Sequence, residues 1–175
     1  MNFRQKGFQF ERKMAGKISE WWCGNKKGLW RNTTSGARAT VMGEVFGGDI
    51  IPAMNIALPW PLSIELKKTE QWSIENFFNL NPGEPLLKYM IQCLQSASLG
   101  CNERAMLICA KNHKKPLCFL HYHAFCGFKG TKHALGRIKN YDVRLEDTVW
   151  NYPVIDFYVM HLDTFFNSFH RKDFI

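Results

Sequence analysis

No stretch of this 175-residue chain approaches the ~18–20 consecutive uncharged apolar residues that a bilayer-spanning helix requires, so no membrane partner is expected. The sequence also lacks a polybasic tail, a low-complexity segment, an internal repeat and a convincing linker. With 46% hydrophobic and 22% charged residues, it does not have the composition of a disordered chain. What remains is one domain over residues 1–175, with a core to about residue 127 and 128–175 as a C-terminal extension of that domain. Acidic residues are in deficit, 15 against 23 basic, for a net charge of +8. A basic domain attracts phosphate backbones, anionic membranes or acidic proteins, and charge alone does not choose among them. The six cysteines lack the layout of a small disulfide-stapled secreted domain. With no signal peptide, reduced thiols and a cytoplasmic location are expected, in the host cytoplasm if the gene is viral.

Apolar periodicity organises what is present. Phe3, Phe10, Met14, Ile18 and Trp22 recur mostly at four-residue steps, which predicts a helix over 3–22, ended by Cys23-Gly24-Asn25. A polar loop follows through Arg31 and Ser35-Gly36. Residues 48–53 and 62–67 read as two strands of one hairpin around a Pro-containing turn at 55–61. In the second strand Leu62, Ile64 and Leu66 share one face, and Ser63, Glu65 and Lys67 the other. A helix is predicted from about residue 82 or 84 to Leu99, with Pro85 in its first turn and Gly100 at its stop. Residues 104–110 and 116–122 follow as strands about a basic turn. A further strand at 152–159 and a closing helix at 162–169 complete the reading. The α-β-β-α-β-β order implies an α/β fold with a mixed central sheet flanked by helices.

The chemistry centres on Asp49 and Glu65-Leu66-Lys67. Neighbouring strand ends can bring the two carboxylates within reach of one divalent cation, and Glu65 and Lys67 share a face because they are two apart. Carboxylate oxygens suit Mg²⁺, with Mn²⁺ able to substitute. A lysine beside them can hold and help deprotonate a water, or stabilise charge building on a phosphate. The triplet alone is a common coincidence, and a surface ion pair explains it equally well.

Upstream residues add context: Gly7 followed by Glu11-Arg12 on the first helix, then Arg31, Ser35-Gly36 and Gly48-Asp49. Together with Glu65-Leu66-Lys67, this pattern resembles the PD-(D/E)XK nuclease superfamily, whose core is restriction-endonuclease-like. Within it, the chain is similar to the archaeal-type Holliday junction resolvases and their phage and bacterial relatives. The resemblance implies a DNA endonuclease that cuts four-way junctions as a homodimer, in recombination and repair. It implies Glu11, Asp49 and Glu65 as metal ligands, Lys67 as the catalytic lysine, Ser35 near the scissile phosphate, and Gln92 as a supporting residue. Arg12, Arg31 and Lys68 become candidate DNA contacts. Gly48 stands where the superfamily often has proline, and residues beyond 128 have no counterpart in the pattern. A restriction- or repair-type endonuclease, and a non-catalytic nucleic-acid-binding protein on the same fold, are the competing readings.

The remaining motifs carry less. Lys111, Lys114 and Lys115 form a basic turn suited to DNA backbone, and Lys129, Lys132, Arg137 and Lys139 a second cluster. Cys118, His121, His123 and Cys126 do not have a standard zinc spacing, and buried cysteines explain them more simply. Of the tryptophans, Trp72 is the best candidate for an exposed stacking surface, the others for core.

Overall fold

The computed structural model describes residues 3–32, 47–53, 59–79, 84–100, 104–140 and 155–175. Helix α1 (Phe3–Cys23) opens the chain, and β1 (Leu29–Arg31) follows. Phe10, Met14, Ile18 and Trp22 are all buried, as their spacing predicts, and Gly24 ends the helix at a φ of 71°. Then come β2 (Ile50–Pro52), β3 (Leu62–Lys68), the short α2 (Ile74–Phe78) and α3 (Leu86–Leu99). After them run β4 (Arg104–Ala110), β5 (Leu117–His121), α4 (Tyr122–Phe125), β6 (Gly136–Asn140), β7 (Ile155–His161) and α5 (Leu162–Ser168).

Five strands form the central sheet in the order β3-β4-β5-β7-β6. β3 and β4 are parallel and the other pairings antiparallel, so the sheet is mixed, as expected. Parallel neighbours need a crossover, and α2 and α3 supply it. Both faces of the sheet are covered. One carries α1, α5 and the apolar side of β3 (Leu62, Ile64, Leu66), and the other carries α3 with Trp72, Leu107, Phe119 and Phe157. β4 alternates strictly between the two, Met106 and Ile108 on the first and Leu107 and Cys109 on the second.

Two expectations are corrected. β2 and β3 are not a hairpin: β2 pairs with β1 in a separate two-stranded ribbon, Trp30 opposite Ile51, while β3 pairs with β4. A local hairpin is the default for adjacent strands, but here a loop-borne ribbon and a long-range parallel partner compete for them and win. Trp72 is buried at 6% exposure, edge-on to Phe119, so it closes the core rather than stacking outward. Within the C-terminal segment, β7 lies inside the sheet between β5 and β6. No helix among the described residues is long and apolar enough to cross a membrane.

Candidate active site

Gly48 and Asp49 approach β3 edge-on. The Asp49 N–H donates to the Ile64 carbonyl at 2.7 Å, and the Leu66 N–H donates to Asp49 Oδ2 at 2.8 Å. The second bond holds the carboxylate against the strand that carries Glu65 and Lys67. Gly48 makes the approach possible. Its φ is +87°, and an added Cβ would lie 2.6 Å from the Ile64 carbonyl oxygen. Asn32, at 2% exposure, braces the same segment from behind: its N–H donates to the Asp49 carbonyl at 2.7 Å and its side-chain amide to the Gly48 carbonyl at 3.0 Å.

Glu65 lies on the polar face of β3, 4% exposed beneath α3. Its Oε1 accepts from Lys67 Nζ at 2.7 Å and from Gln92 Nε2 at 2.7 Å, and its Oε2 from the Ser96 hydroxyl at 3.4 Å. The Lys67 ammonium also sits 5.6 Å from the centre of the Tyr89 ring. Tyr89, Gln92 and Ser96 are three and four residues apart, so they form one stripe of α3 facing the acid–lysine pair. Glu11 on α1 pairs with the Arg31 guanidinium, which lies 4.1 Å from the centre of the Phe8 ring.

The electrostatics follow from this packing. Burial and the neighbouring Glu65 carboxylate push Asp49 up to about 7, against the Leu66 N–H and the Lys67 charge, with Glu11 adding to the rise. Burial alone would pull Lys67 down, but its pairing with Glu65, helped by Asp49, outweighs it and leaves the pKa raised. Lys67 is therefore a firmly held ammonium in the metal-free protein, a donor rather than a base.

Two acids forced together in a buried place, with oxygen donors only, are the chemistry a hard divalent cation satisfies. On that test Asp49 and Glu65 fit such an ion. Glu11 is close enough to raise Asp49 yet is engaged by Arg31. Among the described residues no three His, Cys, Asp or Glu side chains are gathered as a ready-made metal cluster.

A cleft of about 740 Å³ opens beside the site, lined by Glu11, Lys67, Lys68 and Tyr89 among others. It shares Lys6, Lys68 and Asn112 with a second groove, which continues along α1 past Lys13 and Lys17 to Lys111 and Lys114 at the β4–β5 turn. Lys111 lies 4.9 Å from the centre of the Trp72 ring, and Lys114 and Lys115 are exposed. Arg12 is exposed on α1, in a different concavity beside Trp30. Ser35 lies outside the described residues.

The second basic cluster is divided. Arg137 is doubly bonded to the buried Asp156, at 2.6 and 2.5 Å, and covers Tyr122 at 3.4 Å, so its charge is spent within the fold. Cys118 is buried and donates to the Met160 carbonyl at 3.6 Å. The sequence reading missed Asn32, Tyr89 and Ser96 as site residues. The helical spacing of the last two with Gln92 was the available signal; Asn32 offered none beyond membership of a polar loop.

A mixed sheet flanked by helices, with Asp49 against a strand bearing Glu65 and Lys67, defines the restriction-endonuclease-like PD-(D/E)XK class. The model of one family within it, described as "Phage putative PDDEXK endonuclease", matches residues 2–175, and the chain belongs to that family. No curated protein and no solved structure matched the chain. Membership implies nuclease action on DNA, and nucleases of this superfamily generally use divalent metals.

Proposed function

We propose that this nuclease is a Mg²⁺-dependent endonuclease, with Mn²⁺ able to substitute, that resolves four-way DNA junctions as a homodimer. One observation carries the catalytic part: the Leu66 N–H holds the buried Asp49 carboxylate against the strand whose Glu65 is bonded to Lys67 and Gln92. Asp49 and Glu65 would hold the ion, joined by Glu11 once it leaves Arg31. Bound there, a divalent cation polarises the phosphoryl oxygens and lowers the pKa of a coordinated water. The chain's own residues do the rest. Lys67, kept charged by Glu65, orients the attacking water and stabilises negative charge growing on the phosphate. Gln92 and Ser96 hold Glu65 so that Lys67 keeps its position. Arg31, freed from Glu11, can bind a phosphate with its planar fork.

The groove of Lys6, Lys13, Lys17, Lys68, Lys111 and Lys114 supports a DNA track, since phosphate contacts position a nucleic acid without reading it. The junction as substrate rests on the sequence resemblance, and a twofold dimer matches a twofold substrate. Cleavage of a synthetic four-way junction against a linear duplex of the same sequence tests it. The proposal expects strong preference for the junction, with paired cuts. Equal cutting of both would replace it with a restriction- or repair-type endonuclease on the same core.

A further inference from the structure

Trp30, on β1, is 59% exposed, which is unusual for so large an apolar side chain. Its ring is not free to turn, because the indole N–H donates to the Lys27 carbonyl at 3.0 Å. That bond fixes the edge of the ring and leaves a face to solvent. A wide-mouthed concavity of about 370 Å³ adjoins it, with Arg12 and Gly16 from α1, Lys26 from the turn before β1, and Arg31 around it. Among the described residues no acidic side chain lines it. Glu20 only approaches Lys26 from outside, at 4.0 Å, with both side chains well exposed. Arg31 also pairs with Glu11, so the concavity abuts the candidate active site.

A fixed aromatic face ringed by cations matches the two halves of a nucleotide: a π-face to stack and a phosphate to pair. A base locked in a duplex cannot offer its face to a side chain, whereas an unpaired base can. We infer that Trp30, Arg12 and Lys26 form a pocket for one unpaired nucleotide of the DNA substrate, next to the cleavage site. The source of that nucleotide rests on the nuclease reading, but the pocket's affinity does not require cleavage.

Gly16 provides an independent probe. A Cβ added there meets nothing within 4 Å, and leucine is a better helix former than glycine, so Gly16→Leu folds and fills the concavity. The experiment measures the affinity of a short, labelled single-stranded deoxyoligonucleotide, by anisotropy in EDTA. The wild type is compared with Trp30→Ala, Gly16→Leu, Trp30→Phe and Phe78→Ala. Phe78 is equally exposed, at 59%, and lies away from the concavity on α2. The first two variants bind roughly 5- to 150-fold more weakly, the range for losing one base–aromatic stack. Trp30→Phe, which keeps a ring, and Phe78→Ala bind like the wild type. Wild-type affinity in both Trp30→Ala and Gly16→Leu overturns the pocket. If the wild type binds in this Trp30-dependent way yet cleaves no DNA with any divalent metal, the nuclease reading falls and the pocket stands.

Discussion

Gly48 shows how much of the site rests on a single missing side chain. Its positive φ and the 2.6 Å approach of a notional Cβ to the Ile64 carbonyl oxygen leave alanine no place without moving β3 or Asp49. Gly48→Ala is expected to destabilise the protein by about 1–3 kcal/mol in thermal or urea unfolding, and to displace Asp49 as it does so. Asp49 carries the opposite balance. Burial beside Glu65 pushes its carboxyl from the ordinary 3.8 up to about 7 in the folded protein, so between those values the native state holds the extra proton. Stability from this group is therefore full below about pH 4 and lost as the pH rises through 7. Asp49→Asn keeps an oxygen to accept the Leu66 N–H and removes the buried charge. Metal-free Asp49→Asn should be more stable than the wild type at pH 8, by about 4 kcal/mol, and the gap should close toward pH 4. Equal pH profiles of melting temperature for the two proteins would contradict the buried acid pair. The pattern Glu65-Leu66-Lys67 was legible in the sequence because alternation on a strand is local. The need for Gly48 was not, since it depends on how closely a loop approaches a strand fifteen or so residues away.

At the scale of elements, α3 is more than a cover for the sheet. Tyr89, Gln92 and Ser96 form the wall that keeps Glu65 and Lys67 in register, while Met90, Ile91 and Leu94 anchor the helix below. Gln92 is itself exposed but bonds a buried carboxylate, so Gln92→Ala should cost about 1 kcal/mol of stability. The cleavage rate of the folded variant should fall by roughly tenfold, as expected when one hydrogen bond to a positioning carboxylate is lost. An unchanged rate in the folded variant would instead mark Gln92 as a scaffold residue. Helices α1 and α3 could be read from their periodicity, because each buries one continuous stripe. β1 and β6 could not: β1 is three residues long, and Gly136-Arg137-Ile138-Lys139-Asn140 shows alternation only around a single buried isoleucine. The β2–β3 hairpin failed for a related reason, since β3's real partner is reached only through a crossover that leaves no local trace.

Among the described residues the five-stranded sheet is buried on both faces, and its strand β7 comes from the C-terminal part of the chain. Phe157, Met160, Phe165 and Phe169 are fully or almost fully buried, and β7 shields the edge that β5 would otherwise present. Each such side chain contributes about 1.5–3 kcal/mol on burial, so together they rival the 5–15 kcal/mol net stability of a typical domain. Truncation after residue 127 should therefore give a chain without a cooperative melt by circular dichroism, rather than a smaller active core. The sequence placed a strand at 152–159 and a helix at 162–169 but could not show that the strand enters the sheet interior, because order within a sheet is set by long-range packing. The same packing explains Trp72, whose polar sequence neighbours suggested exposure while the core behind it takes up the ring.

Whether Asp49, Glu65 and Lys67 act as a metal-dependent phosphodiesterase site is decided by a single-turnover cleavage rate on DNA. Wild type, Asp49→Asn and Lys67→Ala, each confirmed as folded, are compared with Mg²⁺ and with EDTA. The expected result is Mg²⁺-dependent cutting by the wild type, none in EDTA, and rates lower by at least roughly a hundredfold in both variants. Wild-type rates in both variants would contradict it.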